Sequence, residues 1–236
     1  MTEKGKLYLI PTPLGDYDPA LVLPAPVFEI IGSLKTFVVE EVRTARRFLS
    51  AAGLKGHIGE LGFHELNEHT RPEDVDSLKS LFADGNSVGL LSEAGLPAVA
   101  DPGALLVALC HREGIEVVPL TGPSSLMMAL MASGLNGQSF AFNGYLPVKP
   151  EERRQALKNL EKRSSNLHQS QIFIETPYRN DALMADILAT CSGHTRLCVA
   201  ADITLASAYI KTRTVEGWKR DVPVIGKRPC VFIILA

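Results

Sequence analysis

Residues 88–103 constrain the fold of this 236-residue chain more than any other segment. They read VGLLSEAGLPAVADPG, an apolar run from Val88 to Leu91 followed by a loop of small residues. A buried strand that ends in such a loop and leads into a helix is typical of a parallel sheet, and ligands bind at the carboxyl ends of these strands. Small residues there let the backbone approach a ligand closely. We expect Asp101 to be the N-cap of the following helix and Pro102 its first residue.

Two other loops follow apolar strands in the same way. The strand Leu7 to Ile10 leads into residues 11–15, and the strand Val117 to Leu120 leads into residues 121–125. Strand ends that converge would line one cleft with backbone amides, carbonyls and hydroxyls, which suits a zwitterionic or nucleotide-like ligand. No G-x-G-x-x-G or G-x-x-x-x-G-K-[ST] motif is present, so neither a nicotinamide dinucleotide site nor a P-loop is indicated.

The pattern of strands and helices predicts an α/β protein with two domains, residues 1–120 and 121–236. A β-loop-α alternation up to Leu120 favours a parallel sheet, and the higher share of strands after it favours a mixed sheet. The predicted strands are 7–10, 37–39, 88–91, 117–120, 140–144, 171–174, 197–200 and 230–235. The predicted helices are 43–52, 105–111, 126–132, 151–163 and 182–191.

Composition and cysteine usage favour a soluble cytoplasmic protein without a metal. The chain is 46% hydrophobic and 21% charged, and it has no apolar run long enough for a membrane span and no signal-peptide pattern. Its four cysteines are scattered, which argues against disulfides and structural zinc. His64 and His69 are five residues apart, about 140° around a helix, and so would not share a metal. A polar loop reaching the cleft is the better interpretation of residues 64–69.

The net charge of −2 means that any contact with RNA needs a local basic patch. Two candidates exist, the group Arg43, Arg46 and Arg47 and the segment 149–163, which is also compatible with a solvated helix face. No catalytic acid, base or nucleophile can be identified from spacing, so the catalytic residue stays unknown. Methyl transfer from a sulfonium donor fits such a cleft, because the donor is already activated and the protein mainly aligns it with the acceptor.

Six motifs in order resemble the tetrapyrrole methylase superfamily of S-adenosylmethionine-dependent methyltransferases. Within it, they are most similar to the branch that methylates a cytidine ribose 2′-oxygen in bacterial small-subunit ribosomal RNA. The matching segments are PTPLG at 11–15, EEVR…RR at 40–47, HELNE at 64–68, SEAGLP…DPG at 92–103, TGPSS at 121–125 and ETPYR at 175–179.

This resemblance implies two α/β domains with the cofactor in a cleft between them, and a homodimer that binds ribosomal RNA. The cofactor would be S-adenosylmethionine, leaving as S-adenosylhomocysteine. The residues expected to hold it are Leu14, Ser92, Glu93, Ala94, Gly95, Leu96, Pro97, Ser124, Ser125, Thr176 and Tyr178. The residues expected to face the acceptor are Arg43, His64, Asn67, Glu68 and Arg179. Glu40, Glu68 and Glu175 are candidate bases, and each is equally compatible with an ion pair or a helix cap.

Two departures from the family pattern leave the acceptor open. Glu93 replaces the aspartate of S-D-A-G, and residues 201–205 lack both cations of the family's R-E-L-T-K segment. Since Lys and Arg supply most phosphate affinity, their loss weakens the RNA assignment specifically. A ribose hydroxyl of ribosomal RNA is the leading acceptor. The alternatives are a small molecule such as a tetrapyrrole, and a cofactor-binding homologue without transfer activity.

Overall fold

The computed structural model describes residues 4–67 and 69–236. The chain divides into two compact units, Met1–Ser124 and Ser125–Ala236, which we call unit 1 and unit 2. Among the described residues, no helix has the length and apolar character needed to traverse a bilayer. The same ranges hold no cluster of three or more His, Cys, Asp or Glu side chains that could bind a metal.

Unit 1 is built on a parallel sheet with strand order β3-β2-β4-β1-β5. Within its described residues, the strands are β1 Leu7–Ile10, β2 Thr36–Val39, β3 Gly62–Glu65, β4 Val88–Leu91 and β5 Val117–Pro119. The helices are α1 Ala25–Ser33, α2 Val42–Leu49, α3 Pro72–Ser77 and α4 Ala104–Arg112. Hydrophobic clusters cover both faces of this sheet, as expected for strands that read as continuous apolar runs.

The central strand β4 explains the close packing of unit 1. All four of its residues are buried. A Cβ added at Gly89 would lie 2.8 Å from Ile10 Cδ1 and 2.8 Å from Phe37 Cδ1, so glycine is what allows the neighbouring side chains to fill this space. The sheet therefore leaves no room for a larger residue at the middle of β4.

Two sequence predictions in unit 1 are wrong. Residues 64 and 65 were expected in a polar loop, but they lie in the edge strand β3, where His64 pairs with Val38. Asp101 was expected to cap a helix that begins at Pro102, but α4 begins at Ala104 and its N-cap is Gly103. Asp101 Oδ1 instead accepts hydrogen bonds from the N–H groups of Ala98 and Gly103, at 2.9 and 2.6 Å. Pro102 and Gly103 are therefore loop residues, in a turn that is stabilised by hydrogen bonds to the Asp101 carboxylate.

Unit 2 contains a mixed sheet with strand order β6-β7-β10-β8-β9. The strands are β6 Phe140–Tyr145, β7 Ser170–Ile174, β8 Arg196–Ala201, β9 Tyr209–Thr214 and β10 Cys230–Leu235. The helices are α5 Ser125–Ser133, α6 Pro150–Leu167, α7 Asn180–Thr190 and α8 Val215–Lys219. The pair β6–β7 is parallel, and the pairs β7–β10, β10–β8 and β8–β9 are antiparallel. The predicted α/β class, with a parallel sheet followed by a mixed sheet, is confirmed.

A buried ion pair ties α6 to α7 in the core of unit 2. Asp186 Oδ2 accepts from Arg153 Nε at 2.7 Å, and Asp186 Oδ1 accepts from Arg154 Nε at 2.7 Å. Burial acts to raise the pKa of Asp186, but the hydrogen bonds from Arg154 and Arg153 outweigh it and hold this pKa below its ordinary value. Two cations of the segment 149–163, the buried Arg153 and the half-exposed Arg154, are therefore paired with Asp186, which reduces the basic patch that the sequence suggested.

Removing the Asp186 carboxylate is expected to destabilise unit 2. Asp186→Ala leaves the buried Arg153 guanidinium without its partner, so the free energy of unfolding falls by about 3–5 kcal/mol. Since the pKa of Asp186 is lowered by folding, its contribution is present above the unfolded-state pKa of about 3.9 and is lost as pH falls through the folded-state pKa. Urea denaturation followed by fluorescence measures this, because the chain's one tryptophan, Trp218, is fully buried in unit 2.

The control is Asp221→Ala, which breaks an ion pair between a largely exposed Asp221 and Arg213. Exposed pairs contribute little, so this variant is expected to change the unfolding transition far less. Equal losses in the two variants would contradict the assigned role of Asp186.

Candidate functional site

Three loops of unit 1 meet at the carboxyl ends of β1, β4 and β5. The Thr12 N–H donates to the Gly95 carbonyl at 2.9 Å, and the Gly95 N–H donates to the Thr12 carbonyl at 3.1 Å. Gly95 has a φ of +82°, and a Cβ there would lie 3.2 Å from Leu14 Cδ2 and 3.6 Å from the Pro123 carbonyl oxygen. A Cβ at Gly122 would lie 2.2 Å from Pro11 Cβ. Residues 11–15, 92–97 and 121–123 therefore form one closely packed cluster.

A cleft of about 320 Å³ opens beside this cluster, which is near the lower end of the range for small-molecule sites. One wall is made by the loops after β1 and β4, and the opposite wall is one face of α2 and the turn after it. The lining residues are Thr12, Pro13, Leu14, Gly15, Asp16, Tyr17, Pro19, Thr44, Ala45, Arg47, Phe48, Ala51, Leu91, Ser92, Glu93 and Ala94. Leu14, Ser92, Glu93 and Ala94 are predicted cofactor residues, and Gly95 packs behind them against Leu14.

Ser92 brings a buried and unpartnered hydroxyl to this cleft. The residue is only 9% exposed, and its Oγ has no hydrogen-bond partner among the described residues. Its backbone carbonyl accepts a long hydrogen bond of 3.4 Å from Thr12 Oγ1. A buried hydroxyl without a partner costs free energy, so this position is suited to a ligand that supplies a hydrogen-bonding group.

Two carboxyl groups with raised pKa values, Glu40 and Asp101, lie in the loops that follow β2 and β4. Burial, followed by the charge of Asp101, raises the pKa of Glu40, although a hydrogen bond from the Glu93 N–H acts in the opposite direction. Burial also raises the pKa of Asp101, against the hydrogen bonds from Gly103 and Ala98. Ala98 and Ala100 have φ values of +65° and +60°, so Asp101 holds a strained loop in place. Glu40 is left as a partly buried carboxyl group next to the loop that bears Glu93.

The predicted acceptor residues of unit 1 are spread over two neighbouring surfaces. His64 lines a second groove of about 530 Å³ with residues of β3 and α3, rather than the first cleft. Arg43 is exposed on the first turn of α2, which is capped by Glu41: Oε1 accepts from the Arg43 N–H at 2.7 Å. Asn67 Oδ1 accepts from the His69 N–H at 3.0 Å and so stabilises a turn. Glu68 lies outside the described residues.

Three of the predicted site residues of unit 2, Thr176, Tyr178 and Arg179, lie beside a buried carboxylate, Glu175, which follows β7. Its Oε1 accepts from the Thr176 N–H at 2.7 Å and from Arg179 Nη2 at 2.6 Å, whereas its buried Oε2 has no partner in the part of the chain described. The Arg179 guanidinium lies 5.3 Å from the centroid of the Tyr178 ring. Glu175 is thus engaged in an ion pair. The remaining predicted site residue of α5, Ser125, is the first residue of that helix.

Sequence reasoning missed the wall of the cleft that α2 contributes. The cleft-facing positions are 44, 45, 47, 48 and 51, and four of them, 44, 47, 48 and 51, have the i, i+3, i+4, i+7 spacing of one helix face. The helix over 43–52 was predicted, but only its arginines were considered. Tyr17 was also missed: its hydroxyl accepts from the Leu14 N–H at 3.3 Å, a contact that no sequence pattern signals.

The family model for Tetrapyrrole (Corrin/Porphyrin) Methylases matches residues 6–217. The chain belongs to this family. The resemblance drawn from the six motifs is confirmed, and the chain is a methyltransferase.

Two curated relatives agree with this membership, and one solved structure shares the fold. The chain is 31% identical over 232 residues to "Ribosomal RNA small subunit methyltransferase I" of Halalkalibacterium halodurans, covering 95% of this chain and 74% of the relative. It is 30% identical over 202 residues to the protein of the same name from Escherichia coli O157:H7, covering 86% of this chain and 66% of the relative. A uroporphyrin-III C-methyl transferase from Thermus thermophilus, solved complexed with S-adenyl homocysteine, superposes with a TM-score of 0.56 at 18% identity, covering 98% of this chain and 97% of that one.

The contact between Gly122 and Pro11 provides a test of the loop cluster. Gly122→Ala places a Cβ 2.2 Å from Pro11 Cβ, so one loop has to move, and we expect the free energy of unfolding to fall by about 1–3 kcal/mol. Urea denaturation followed by circular dichroism measures this. Gly137→Ala is the control, because a Cβ there meets nothing within 4 Å. Equal stability of the two variants would show that the loops are not packed as described.

Proposed function

We propose that this chain transfers a methyl group from S-adenosylmethionine to a ribose 2′-hydroxyl of small-subunit ribosomal RNA. The observation that carries the proposal is the similarity of about 30% to two proteins named as ribosomal RNA small subunit methyltransferases, over 95% and 86% of this chain. The chain spans 74% and 66% of their lengths. The choice of a ribose oxygen rests on the motif resemblance at residues 40–47, 64–68 and 175–179.

The cleft of unit 1 supports binding of the cofactor. Its lining combines backbone groups of residues 12–15 and 92–94 with apolar side chains such as Leu14 and Phe48, which suits a ligand with polar and apolar parts. The unpartnered Ser92 hydroxyl would hydrogen-bond to one of the polar groups. Leu96, Pro97, Ser124, Ser125, Thr176 and Tyr178 remain proposed cofactor residues from the motif resemblance.

The bound cofactor supplies an electrophilic methyl group on a positively charged sulfur. With the cofactor bound, transfer would form a bond between the ribose oxygen and this carbon and would break the carbon–sulfur bond, and the hydroxyl proton would leave to a base. The protein's task is to align the two groups and to receive the proton. Arg43, His64, Asn67, Glu68 and Arg179 are proposed to face the RNA, whose phosphates would be drawn to the exposed arginines of α2.

Glu40 is favoured over Glu175 as the proton acceptor, because Glu175 is held in an ion pair by Arg179. Glu68, the third candidate, lies outside the described residues. Burial and the charge of Asp101 raise the pKa of Glu40, and a carboxylate with a higher pKa is the stronger base. Glu40 follows β2 and lies beside the loop that bears Glu93, so it is at the same end of the sheet as the cleft.

A cytoplasmic homodimer is also proposed, from the motif resemblance. Unit 2 carries exposed apolar side chains such as Met131 and Ile210. Such side chains support an interface with a second copy.

A transfer assay tests the proposed function. The purified chain is incubated with radiolabelled S-adenosylmethionine and small ribosomal subunits from cells that lack this gene, and in parallel with a pool of small molecules that includes tetrapyrroles. Label at a ribose of the ribosomal RNA is expected. Label only in a small molecule would support a tetrapyrrole acceptor instead, and cofactor binding without transfer to either would support a homologue that has lost activity.

Ser92→Ala is expected to act on binding and stability in opposite directions. It removes a buried hydroxyl without a protein partner, so stability is unchanged or slightly raised, whereas affinity for S-adenosylmethionine falls roughly 2- to 10-fold with the lost hydrogen bond. Calorimetric titration measures the affinity. The control is Ser133→Ala, since the buried Ser133 hydroxyl has partners in Leu130 and Leu135 and its loss should affect stability alone. Unchanged cofactor affinity in Ser92→Ala would count against this contact.

Glu40→Gln is expected to lower kcat about 10²- to 10⁴-fold without changing cofactor affinity, because it removes the proton acceptor. In the unaltered protein, kcat should rise with pH through the raised pKa of Glu40 as its carboxyl group loses its proton. This rise should be absent in the variant. The matched control is Glu41→Gln: hydrogen bonds from Thr44 and Arg43 hold the pKa of Glu41 below its ordinary value, so it is suited to capping and not to accepting a proton. Equal effects of the two substitutions on kcat would refute the role of Glu40.

A further inference from the structure

The parallel pair β6–β7 defines the end of the unit 2 sheet at which a ligand is expected to bind. In residues 125–236, which the structure describes completely, every other pair of strands is antiparallel. Ligands of α/β sheets bind beyond the carboxyl ends of parallel strands. In unit 2 this rule applies only to the end of the sheet where β6 finishes at Tyr145 and β7 finishes at Ile174, one residue before Glu175.

A bulge in β6 turns Tyr145 outward at this edge. Phe142 pairs with Ile172 and Tyr145 pairs with Ile174, so three steps along β6 match two steps along β7. The extra residue reverses the alternation of side chains, and Tyr145 returns to the face that carries Phe140 and Phe142. Gly144, with a φ of +65°, permits this turn, and Tyr145 is 56% exposed.

A second exposed tyrosine and a fixed cation lie next to Tyr145. Tyr178 is 69% exposed, and its ring lies 5.3 Å from the Arg179 guanidinium. Arg179 is anchored through Nε and Nη2 to the buried Glu175 carboxylate, at 2.9 and 2.6 Å. The hydrogen bond with Glu175 is the main cause of a raised Arg179 pKa, with smaller contributions from the phenols of Tyr178 and Tyr145. Tyr145 pairs with Ile174, the residue before Glu175, so the two rings and the guanidinium lie at the same end of the sheet.

We infer that Tyr145, Tyr178 and Arg179 form a stacking platform for an unstacked base of the RNA acceptor. Single-stranded RNA is recognised by stacking its bases on aromatic rings and arginine planes, with cations placed near the backbone. The inference rests on the proposed RNA substrate and assigns to it a contact surface in unit 2. It reassigns Tyr178, which the motif resemblance places at the cofactor, to the RNA acceptor.

The openness of the platform favours an RNA base over the adenine of the cofactor. Small-molecule sites bury most of their ligand, whereas both tyrosines here are more than half exposed. An open surface suits a base whose chain continues on both sides. The fixed charge of Arg179 adds attraction for the adjoining phosphates.

Alanine substitutions test the platform. Tyr145→Ala and Tyr178→Ala should each weaken binding of small-subunit ribosomal RNA from cells lacking the gene by roughly 5- to 150-fold and raise the KM for RNA. Tyr145→Phe and Tyr178→Phe keep the ring and should retain affinity. Phe140→Ala is the matched control, because Phe140 is 41% exposed at the opposite end of the same strand. Filter binding at fixed salt measures RNA affinity, calorimetry measures affinity for S-adenosylmethionine, and Trp218 fluorescence verifies folding.

The outcomes separate the platform from the proposed function. Loss of cofactor affinity with unchanged RNA affinity would overturn the inference and assign the rings to adenine. An unaltered protein that methylates ribosomal RNA, with alanine variants that bind it equally well, would overturn the platform and leave the proposed function standing. An unaltered protein that neither binds nor methylates ribosomal RNA would overturn both.

Discussion

The pair of backbone hydrogen bonds between Thr12 and Gly95 is the constraint on which the site depends. Neighbouring parallel strands end at the same edge of a sheet, but their loops normally diverge. Here the reciprocal contacts at 2.9 and 3.1 Å hold the loops after β1 and β4 together beyond the last residues of both strands. At Gly95, the pairing requires a φ of +82° and a close contact with Leu14. Any side chain at this position would disfavour the φ value and obstruct the contact. The positions of Ser92 and Leu14 in the cleft follow from this bridge.

The hydrogen bonding of buried polar groups differs between residues that stabilise the fold and residues of the candidate sites. Asp186 is fully engaged by Arg153 and Arg154, so it links two helices of unit 2. Ser92 Oγ and Glu175 Oε2 are also buried, yet they have no partner among the described residues. Unsatisfied groups of this kind reduce stability, and their presence at the carboxyl ends of β4 and β7 agrees with sites where a ligand supplies the missing partner.

The sequence predicted the apolar strands of both sheets but missed two edge strands and the helices α1, α3 and α8. Strands such as β4 and β10 are continuous apolar runs and were predicted within a residue or two. The missed strands, β3 and β9, are both edge strands, in which polar residues such as His64 and Lys211 remain partly exposed and obscure the apolar pattern. The turn around Asp101 and the pairing of Arg153 with Asp186 depend on tertiary contacts. From local spacing alone, the turn around Asp101 cannot be distinguished from a helix cap. In the same way, the cations that pair with Asp186 cannot be distinguished from a basic surface.

The most direct test of the account is a crystal structure of this chain with S-adenosylhomocysteine. The ligand is expected beside the Thr12–Gly95 bridge, in contact with residues 12–14 and 92–94, with a hydrogen bond to Ser92 Oγ. A ligand bound elsewhere, with the loops after β1 and β4 free of contact, would contradict it.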